Sequence, residues 1–181
     1  MKSWKLILIV VAAIVAIVIM FVFAFQGVQN KAINLEEQIT TAQSEIKIQE
    51  KRRADLIPNL VDCVKAYDEH EYNTLMAVIE ARGAGNDEVA AEVMTSVNVV
   101  AEQYPELKSN ENYKQLMTEL AATENLIAQT RTNYNTWVTQ YNSYVRKFPN
   151  SGILNMLGYE RQNFEKLTFE VSSDAPTNLF D

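Results

Sequence analysis

The amino-terminal part of the chain is apolar without interruption. From Leu6 to Phe25 it reads LILIVVAAIVAIVIMFVFAF, with no polar side chain. A helix of that length is about 30 Å long, the thickness of the hydrocarbon core of a bilayer. The run is longer than the apolar region of a signal peptide, although Val22-Phe23-Ala24 resembles a cleavage site. We therefore predict a retained transmembrane anchor over residues 1–27.

The remaining chain carries apolar positions at helical spacing. The clearest stripe lies within 111–148, where steps of three and four residues are typical of a packed helix with coiled-coil geometry. Glu124 and Arg131 occupy two steps of that stripe. Its apolar members are Tyr113, Leu116, Leu120, Ile127, Tyr134, Val138, Tyr141, Val145 and Phe148. Ser109 or Asn110 is the predicted cap.

Three further stripes predict three more helices. One helix is expected from about Asp87 to Tyr104, capped by Asn86 or Asp87, between turns at 82–85 and 104–106. Another stripe consists of Leu35, Ile39, Ala42, Ile46 and Gln49, and the next of Leu56, Leu60, Val64, Tyr67, Leu75 and Val78. Asp55 is the predicted cap of that last helix, with Pro58 in its first turn.

Four amphipathic helices with short turns favour an all-α fold, because each stripe must bury against another. We predict a transmembrane helix followed by an antiparallel up-and-down four-helix bundle over residues 28–160. Residues 50–57 hold either a chain reversal or a kink within one long helix, and both alternatives stay open.

The carboxyl-terminal tail, residues 161–181, is predicted to be extended. Leu167–Val171 alternates apolar and polar residues like a strand, and 172–176 is predicted to be a loop. A single strand either lies on the bundle or pairs with another protomer, and we favour docking on the bundle. The apolar residues between 153 and 159 are expected to touch the membrane interface or to close the end of the bundle.

Composition narrows the function. The net charge is −7, and without Lys2 and Lys5 the remainder has 14 basic against 23 acidic residues, a net charge of −9. That charge disfavours nucleic acid and keeps the domain off anionic lipid. One Cys excludes an intramolecular disulfide, and one His disfavours a catalytic metal site.

A search for chemistry yields no catalytic, cofactor-binding or metal-binding residues. His70 lacks a second His for a di-iron or zincin motif. Gly83 and Gly85 lack the strand and third glycine of a phosphate loop. Cys63 has no nearby His and is predicted to be a buried, inert thiol. We therefore expect no enzyme and no cofactor.

For each polar feature we favour a structural interpretation and keep a functional one as the alternative. Lys51-Arg52-Arg53 is predicted to be a solvated, self-paired helix end, with a partner-contact patch as the alternative. Glu124 and Arg131 are expected to find partners across the bundle and fix its register, with a ligand site as the alternative. The Asn residues of the last helix are expected to be exposed, with interhelical or interprotomer contacts as the alternative; they are Asn125, Asn133, Asn135 and Asn142.

Several segments resemble the LemA family of bacterial proteins. They are AQSEIKIQEKRRADLIPNLV at 42–61, KAYDEHEYNTLMAVIEAR at 65–82 and YPELKSNENYKQLMTELAATENLI at 104–127, together with Tyr134-Asn135, Tyr141-Asn142 and Phe148-Pro149. The resemblance covers residues 4–165. One departure is Gln43, where relatives often carry Trp.

The resemblance implies one amino-terminal membrane helix, an antiparallel four-helix domain and no catalytic residues. One relative is associated with membrane invagination around an organelle, which suggests a structural role. The family expectation puts the bundle in the cytoplasm. Here Lys2 and Lys5 precede the span and Lys31 follows it, and this charge bias instead puts residues 26–181 outside.

Two functions remain in consideration. The first is a self-associating scaffold or membrane-organising protein, a homo-oligomer in the bacterial plasma (inner) membrane held by Leu6–Phe25. The second is a sensory module that binds a ligand or a partner protein in a pocket near Glu124 and Arg131.

Overall fold

The computed structural model describes residues 2–168, and all regular secondary structure in that range is helical. The six helices are α1 (Lys2–Asp62), α2 (Glu69–Arg82), α3 (Asp87–Gln103), α4 (Pro105–Ser109), α5 (Glu111–Arg146) and α6 (Asn150–Met156). The all-α class predicted from the sequence is thus confirmed, together with a long apolar helix at the amino terminus.

Helix α1 is one helix of 61 residues. Residues 50–57 are helical throughout, so of the two alternatives the chain reversal is wrong and the single long helix is correct. The prediction of Asp55 as a cap was wrong: its carboxylate lies 3.0 Å from the Lys51 ammonium, one turn away on an exposed face. Pro58 stands inside α1, four residues before the end of the helix.

The chain reverses instead at residues 63–68, where the sequence prediction had continued a helix. The last turn of α1 tightens through three-residue hydrogen bonds, such as that from Val64 N–H to the Val61 carbonyl at 2.9 Å. Helix α2 then begins at Asp68, whose carboxylate accepts from the Glu71 N–H at 2.9 Å. An Asp followed three residues later by Glu is a capping-box pattern, and this signal was overlooked.

The other predicted helix starts are confirmed. Asn86 caps α3, accepting from Glu88 N–H at 2.8 Å, and Asn110 caps α5, accepting from Asn112 N–H at 2.9 Å. Gly83 ends α2 with φ +84°, a conformation that favours glycine. The predicted turn at 104–106 differs, since Pro105 begins the short helix α4.

Residues 41–133 form one compact unit. Its core is made by side chains from five helices, α1 to α5. The fully buried members are apolar, in agreement with the predicted stripes. They include Ile57, Leu60, Val61, Val64, Val89, Val93, Val97, Leu107 and Leu120.

In the described part of the chain, residues 2–40 and 134–168 form a second compact unit. Within its described part, Ala32, Leu35 and Ile39 of α1 are buried, as are Val138, Tyr141 and Val145 of α5 and Leu154 of α6. Residues 159–168 follow α6 without regular secondary structure. Of the predicted strand, residues 167 and 168 are not in a strand, and 169–171 lie outside the described residues.

The apolar segment of α1 is exposed. Residues 7–24 are all solvent-exposed, and within the described range α1 is the helix that is long and apolar enough to cross a membrane. It is therefore a candidate membrane anchor. The four-helix, up-and-down arrangement and the boundaries 1–27, 28–160 and 161–181 stay predictions.

The cap of α2 can be tested by removing its side-chain acceptor. Asp68→Ala is expected to lower the free energy of unfolding by about 1 kcal/mol, since the Glu71 N–H of the first turn loses its side-chain acceptor. Chemical denaturation followed by circular dichroism measures the change.

The matched control is Asp62→Ala, at the other side of the same reversal. A carboxylate at the end of α1 opposes the helix dipole, so its removal should be neutral or slightly stabilising. An equal loss in both variants would contradict the assignment of Asp68 as the cap.

Candidate functional site

Arg53 is the most deeply buried charged residue among those described, with 1% of its surface exposed. Its guanidinium donates to the Glu124 carboxylate at 3.1 and 3.3 Å, to Asp87 at 2.6 Å and to the Gly85 carbonyl at 2.6 Å. One side chain of α1 therefore binds α5, the start of α3 and the turn before α3. Its Nε has no partner.

Arg131 of α5 completes the arrangement. It donates to Asp87 at 2.7 Å and to Glu50 of α1 at 2.7 Å, and 16% of its side chain is exposed. Asp87 thus lies between two arginines. We call these five residues (Glu50, Arg53, Asp87, Glu124 and Arg131) the charge cluster; all lie in the unit of residues 41–133.

The electrostatics of the charge cluster favour the ionised forms of Asp87 and Arg131. The hydrogen bond from Arg131 holds the pKa of the Asp87 carboxyl below its usual value, with a further contribution from Arg53 against the opposing effect of burial. In turn, the hydrogen bond to Asp87 raises the pKa of Arg131. Such a network gives little net stability over apolar packing, yet removing one partner leaves charge uncompensated.

The sequence predictions for these residues have mixed outcomes. The expectation that Glu124 and Arg131 find partners across the bundle is confirmed; a role in register stays a prediction. The prediction of a solvated run at 51–53 was wrong for Arg53. Its position had a signal, because Arg53 continues the stripe of Ile46 and Gln49 by a step of four residues.

The neighbours of Arg53 are solvated as predicted, but only Lys51 is paired within the stretch. Lys51 pairs with Asp55 within α1, and Arg52 pairs with Glu119 of α5 at 2.5 Å while half of its side chain stays exposed. Exposed pairs of this kind contribute little to stability.

A second polar arrangement binds the extended segment after α6. Asn135 both donates to the Leu167 carbonyl at 2.9 Å and accepts from the Leu167 N–H at 2.8 Å. Asn142 donates to the Phe164 carbonyl at 3.2 Å. Tyr134 donates to the Glu165 carbonyl at 3.1 Å, and Tyr141 accepts from the Gln162 N–H at 2.9 Å.

These four α5 residues, Tyr134, Asn135, Tyr141 and Asn142, form what we call the tail clamp. The two Tyr-Asn pairs are seven residues apart, which puts them on one face of α5. They bind backbone groups of the segment. The described part of the tail thus docks on α5 as far as Leu167. The predicted exposure is confirmed for Asn125 and Asn133 and was wrong for Asn135 and Asn142, which make contacts within the protein.

Glu36 of α1 joins the same region. Its carboxylate accepts from the Tyr141 hydroxyl at 2.9 Å and from the Tyr159 hydroxyl. Burial raises the pKa of both tyrosines, and the neighbouring carboxylate adds to the rise. Both hydroxyls therefore stay protonated at neutral pH and act as donors.

The other residues considered in the sequence, a cysteine, a histidine and two glycines, show no catalytic arrangement in the described part of the chain. Burial and the charge of Asp62 raise the pKa of the half-buried Cys63 thiol, which disfavours a nucleophilic thiolate. His70 lies exposed in the first turn of α2. Gly83 ends α2, and the Gly85 carbonyl accepts from Arg53.

Two clefts bear on the predicted ligand pocket. One of about 560 Å³ is lined by residues of α3, α4 and α5, including Asn98 and Tyr113. The other, of about 300 Å³, lies between α1 and α5 in the other unit. Neither cleft is lined by Glu124 or Arg131. Glu124 binds Arg53, and Arg131 binds Asp87 and Glu50.

The burial of Arg53 is testable against its own neighbour. Arg53→Met is expected to lower the free energy of unfolding by about 2–4 kcal/mol, because two carboxylates and a carbonyl lose their shared donor. Arg52→Met, the same change one position earlier, should cost less than about 1 kcal/mol. Urea denaturation of both variants measures the difference, and equal costs would contradict the burial of Arg53.

The tail clamp is testable by hydrogen exchange. Asn135→Ala removes the acceptor of the Leu167 N–H, so exchange of that amide should accelerate roughly five- to tenfold, the equivalent of one hydrogen bond. Asn133→Ala, on an exposed face of α5, is the control and should leave exchange unchanged. Unchanged exchange in Asn135→Ala would show that the segment is held otherwise.

Comparison with known proteins adds the family. A family model described as the LemA family matches residues 42–180, well over half of the chain. Protein LemA of Metamycoplasma hominis is 29% identical over 140 residues, which are 71% of this chain and 64% of that protein.

Two shorter matches are the magnetosome proteins MamQ 1 and MamQ 2 of Paramagnetospirillum magneticum. Each is 35% identical over 65 residues, which are 36% of this chain and 24% of the relative. The chain thus spans less than two thirds of each of these three relatives. The family match and the resemblance of the DLIPNLV and YPELKSNEN segments agree: this chain belongs to the LemA family.

Proposed function

We propose that this chain is a non-enzymatic, single-pass protein of the bacterial plasma membrane that works as a self-associating scaffold or membrane-organising protein. LemA proteins are membrane-associated, and the LemA family is not a known enzyme family. The matches to proteins named as magnetosome proteins agree with a membrane-organising role.

The continuity of α1 carries this proposal. One helix runs from the exposed apolar segment, residues 7–24, to Ile57 and Leu60 in the core of the unit of residues 41–133. No loop or linker interrupts α1 between the anchor and these core residues.

Anchoring also favours self-association physically. Copies held in one membrane move in two dimensions, which raises their effective concentration and lets weak lateral contacts assemble them. Residues 28–160 would present a four-helix bundle to their neighbours, with 161–181 as a tail. The large apolar side chains exposed in the unit of residues 41–133 are Ile48, Val99 and Leu126, one on each of three helices.

The test is the oligomeric state of the full chain in lipid. Lipid nanodiscs or mild detergent, examined by native mass measurement after short crosslinking, should yield a ring, fibre or other high-order species. Copies carrying two different tags and purified through one tag should carry the other tag with them.

Dilution provides the control. A specific assembly should persist when excess lipid lowers the surface density tenfold, whereas crowding alone should disperse. A monomer at membrane-like density, with α-helical circular dichroism intact, would overturn the scaffold.

A further inference from the structure

Beyond the anchor, the structure leaves a second apolar surface exposed. Its residues lie between the end of α5 and the end of α6. Phe148 is 89% exposed and Met156 is 76% exposed, and Leu157 is also solvent-facing. Leu154 of the same short helix is fully buried, so α6 is held against the unit while these neighbouring side chains point away.

Two hydrogen bonds fix the height of this surface along α1. The Tyr141 hydroxyl donates to Glu36 at 2.9 Å, and the Tyr144 hydroxyl donates to the Val28 carbonyl at 3.3 Å. As the residue number rises along α5, the number of the contacted residue in α1 falls, so the two helices are antiparallel here. Phe148 lies seven residues past Tyr141 and four past Tyr144, which places it level with residues 24–29 of α1.

That level is the end of the apolar run. The run ends at Phe25, and residue 29 lies only about 6 Å further along a helix. The polar layer on each side of a hydrocarbon core is about 5–7 Å thick. Phe148 therefore lies at the height of the membrane interface whenever residues 6–25 span the hydrocarbon.

The charges at this height differ from those of the whole chain. Residues 26–35 and 143–159 contain no Asp or Glu, and they carry Lys31, Arg146 and Lys147. A chain of net charge −7 thus presents three positive charges beside the anchor. All three side chains are exposed.

A cleft lies among these cations. Its volume is about 300 Å³, and its lining includes Lys31, Ser143, Tyr144, Lys147 and Asn150. Two ammonium groups with hydroxyl and amide donors around them are suited to a phosphate group. Phosphates of the bilayer surface lie at the same height.

We infer that Lys31, Arg146, Lys147 and Phe148 form a membrane collar that docks on anionic phospholipid around the anchor. Phe148 enters the interface, while the three cations and the cleft at Lys31 and Lys147 bind lipid phosphates. The otherwise acidic chain thereby contacts the bilayer through one end. This inference rests on the proposed membrane anchoring.

A fluorescent label tests it in the full chain. In a Cys63→Ala background, single cysteines replace Phe148 (collar), Ala16 (anchor) and Glu37 (control), and each receives an environment-sensitive nitrobenzoxadiazole group. Glu37 is exposed and about 18 Å beyond Phe25 along α1. The proteins are reconstituted in phosphatidylcholine vesicles with or without about 30% phosphatidylglycerol, containing a nitroxide near the top of the acyl chain.

The collar predicts quenching at 148 in the phosphatidylglycerol vesicles, together with quenching at 16, and none at 37. No quenching at 148 while 16 is quenched would overturn the collar and leave the anchor intact. No quenching at 16 would overturn the anchor and the collar together. Equal quenching at 148 without phosphatidylglycerol would overturn the assignment to anionic lipid.

Charge variants measure how strongly the three cations contribute to docking of the collar. Each cation near an anionic surface favours docking about fivefold, and each added Glu repels that surface. Lys31→Glu, Arg146→Glu and Lys147→Glu together should therefore lower the ratio of docked to free collar by at least about 100-fold. Lys108→Glu, Lys114→Glu and Lys166→Glu, equal in charge change and outside the collar, form the control and should have little effect. An equal loss in both triple variants would show that net charge, not the collar, controls docking.

Discussion

A long row of apolar side chains without any protein cover is the constraint on which the other features of this chain depend. Residues 7–24 are all exposed, and each large apolar side chain left in water costs about 1.5–3 kcal/mol, tens of kcal/mol over the row. Only a bilayer or other copies of the chain remove that cost. From this row α1 continues without a break to Asp62.

The main polar contacts of both units involve side chains of that long helix. Arg53 of α1 binds the start of α3 and the middle of α5 at once, and Glu36 of α1 binds Tyr141 of α5 and Tyr159 after α6. In each unit, a polar side chain of α1 binds groups distant in sequence. We expect these contacts to specify which residues of α1 and α5 are opposed, information that interchangeable apolar side chains carry poorly.

Periodicity predicted the helical class, the starts of α3 and α5, and most of the core, because stripes such as Val89, Val93 and Val97 follow from burial alone. It failed at 63–68, where no Gly or Pro marks the reversal and the cap at Asp68 was overlooked. It also missed Arg53 as a core residue, since a charge on a stripe is buried only when partners from other helices arrive. Those partners, Asp87 and Glu124, are set by tertiary structure.

Hydrogen exchange of the full chain in lipid nanodiscs, resolved along α1, tests the central claim most directly. One membrane-anchored helix predicts that amides of residues 6–25 are almost completely protected for hours and that protection continues without a gap through residue 40. Rapid exchange within 6–25, or a freely exchanging window around Gly27 between two protected segments, would contradict it.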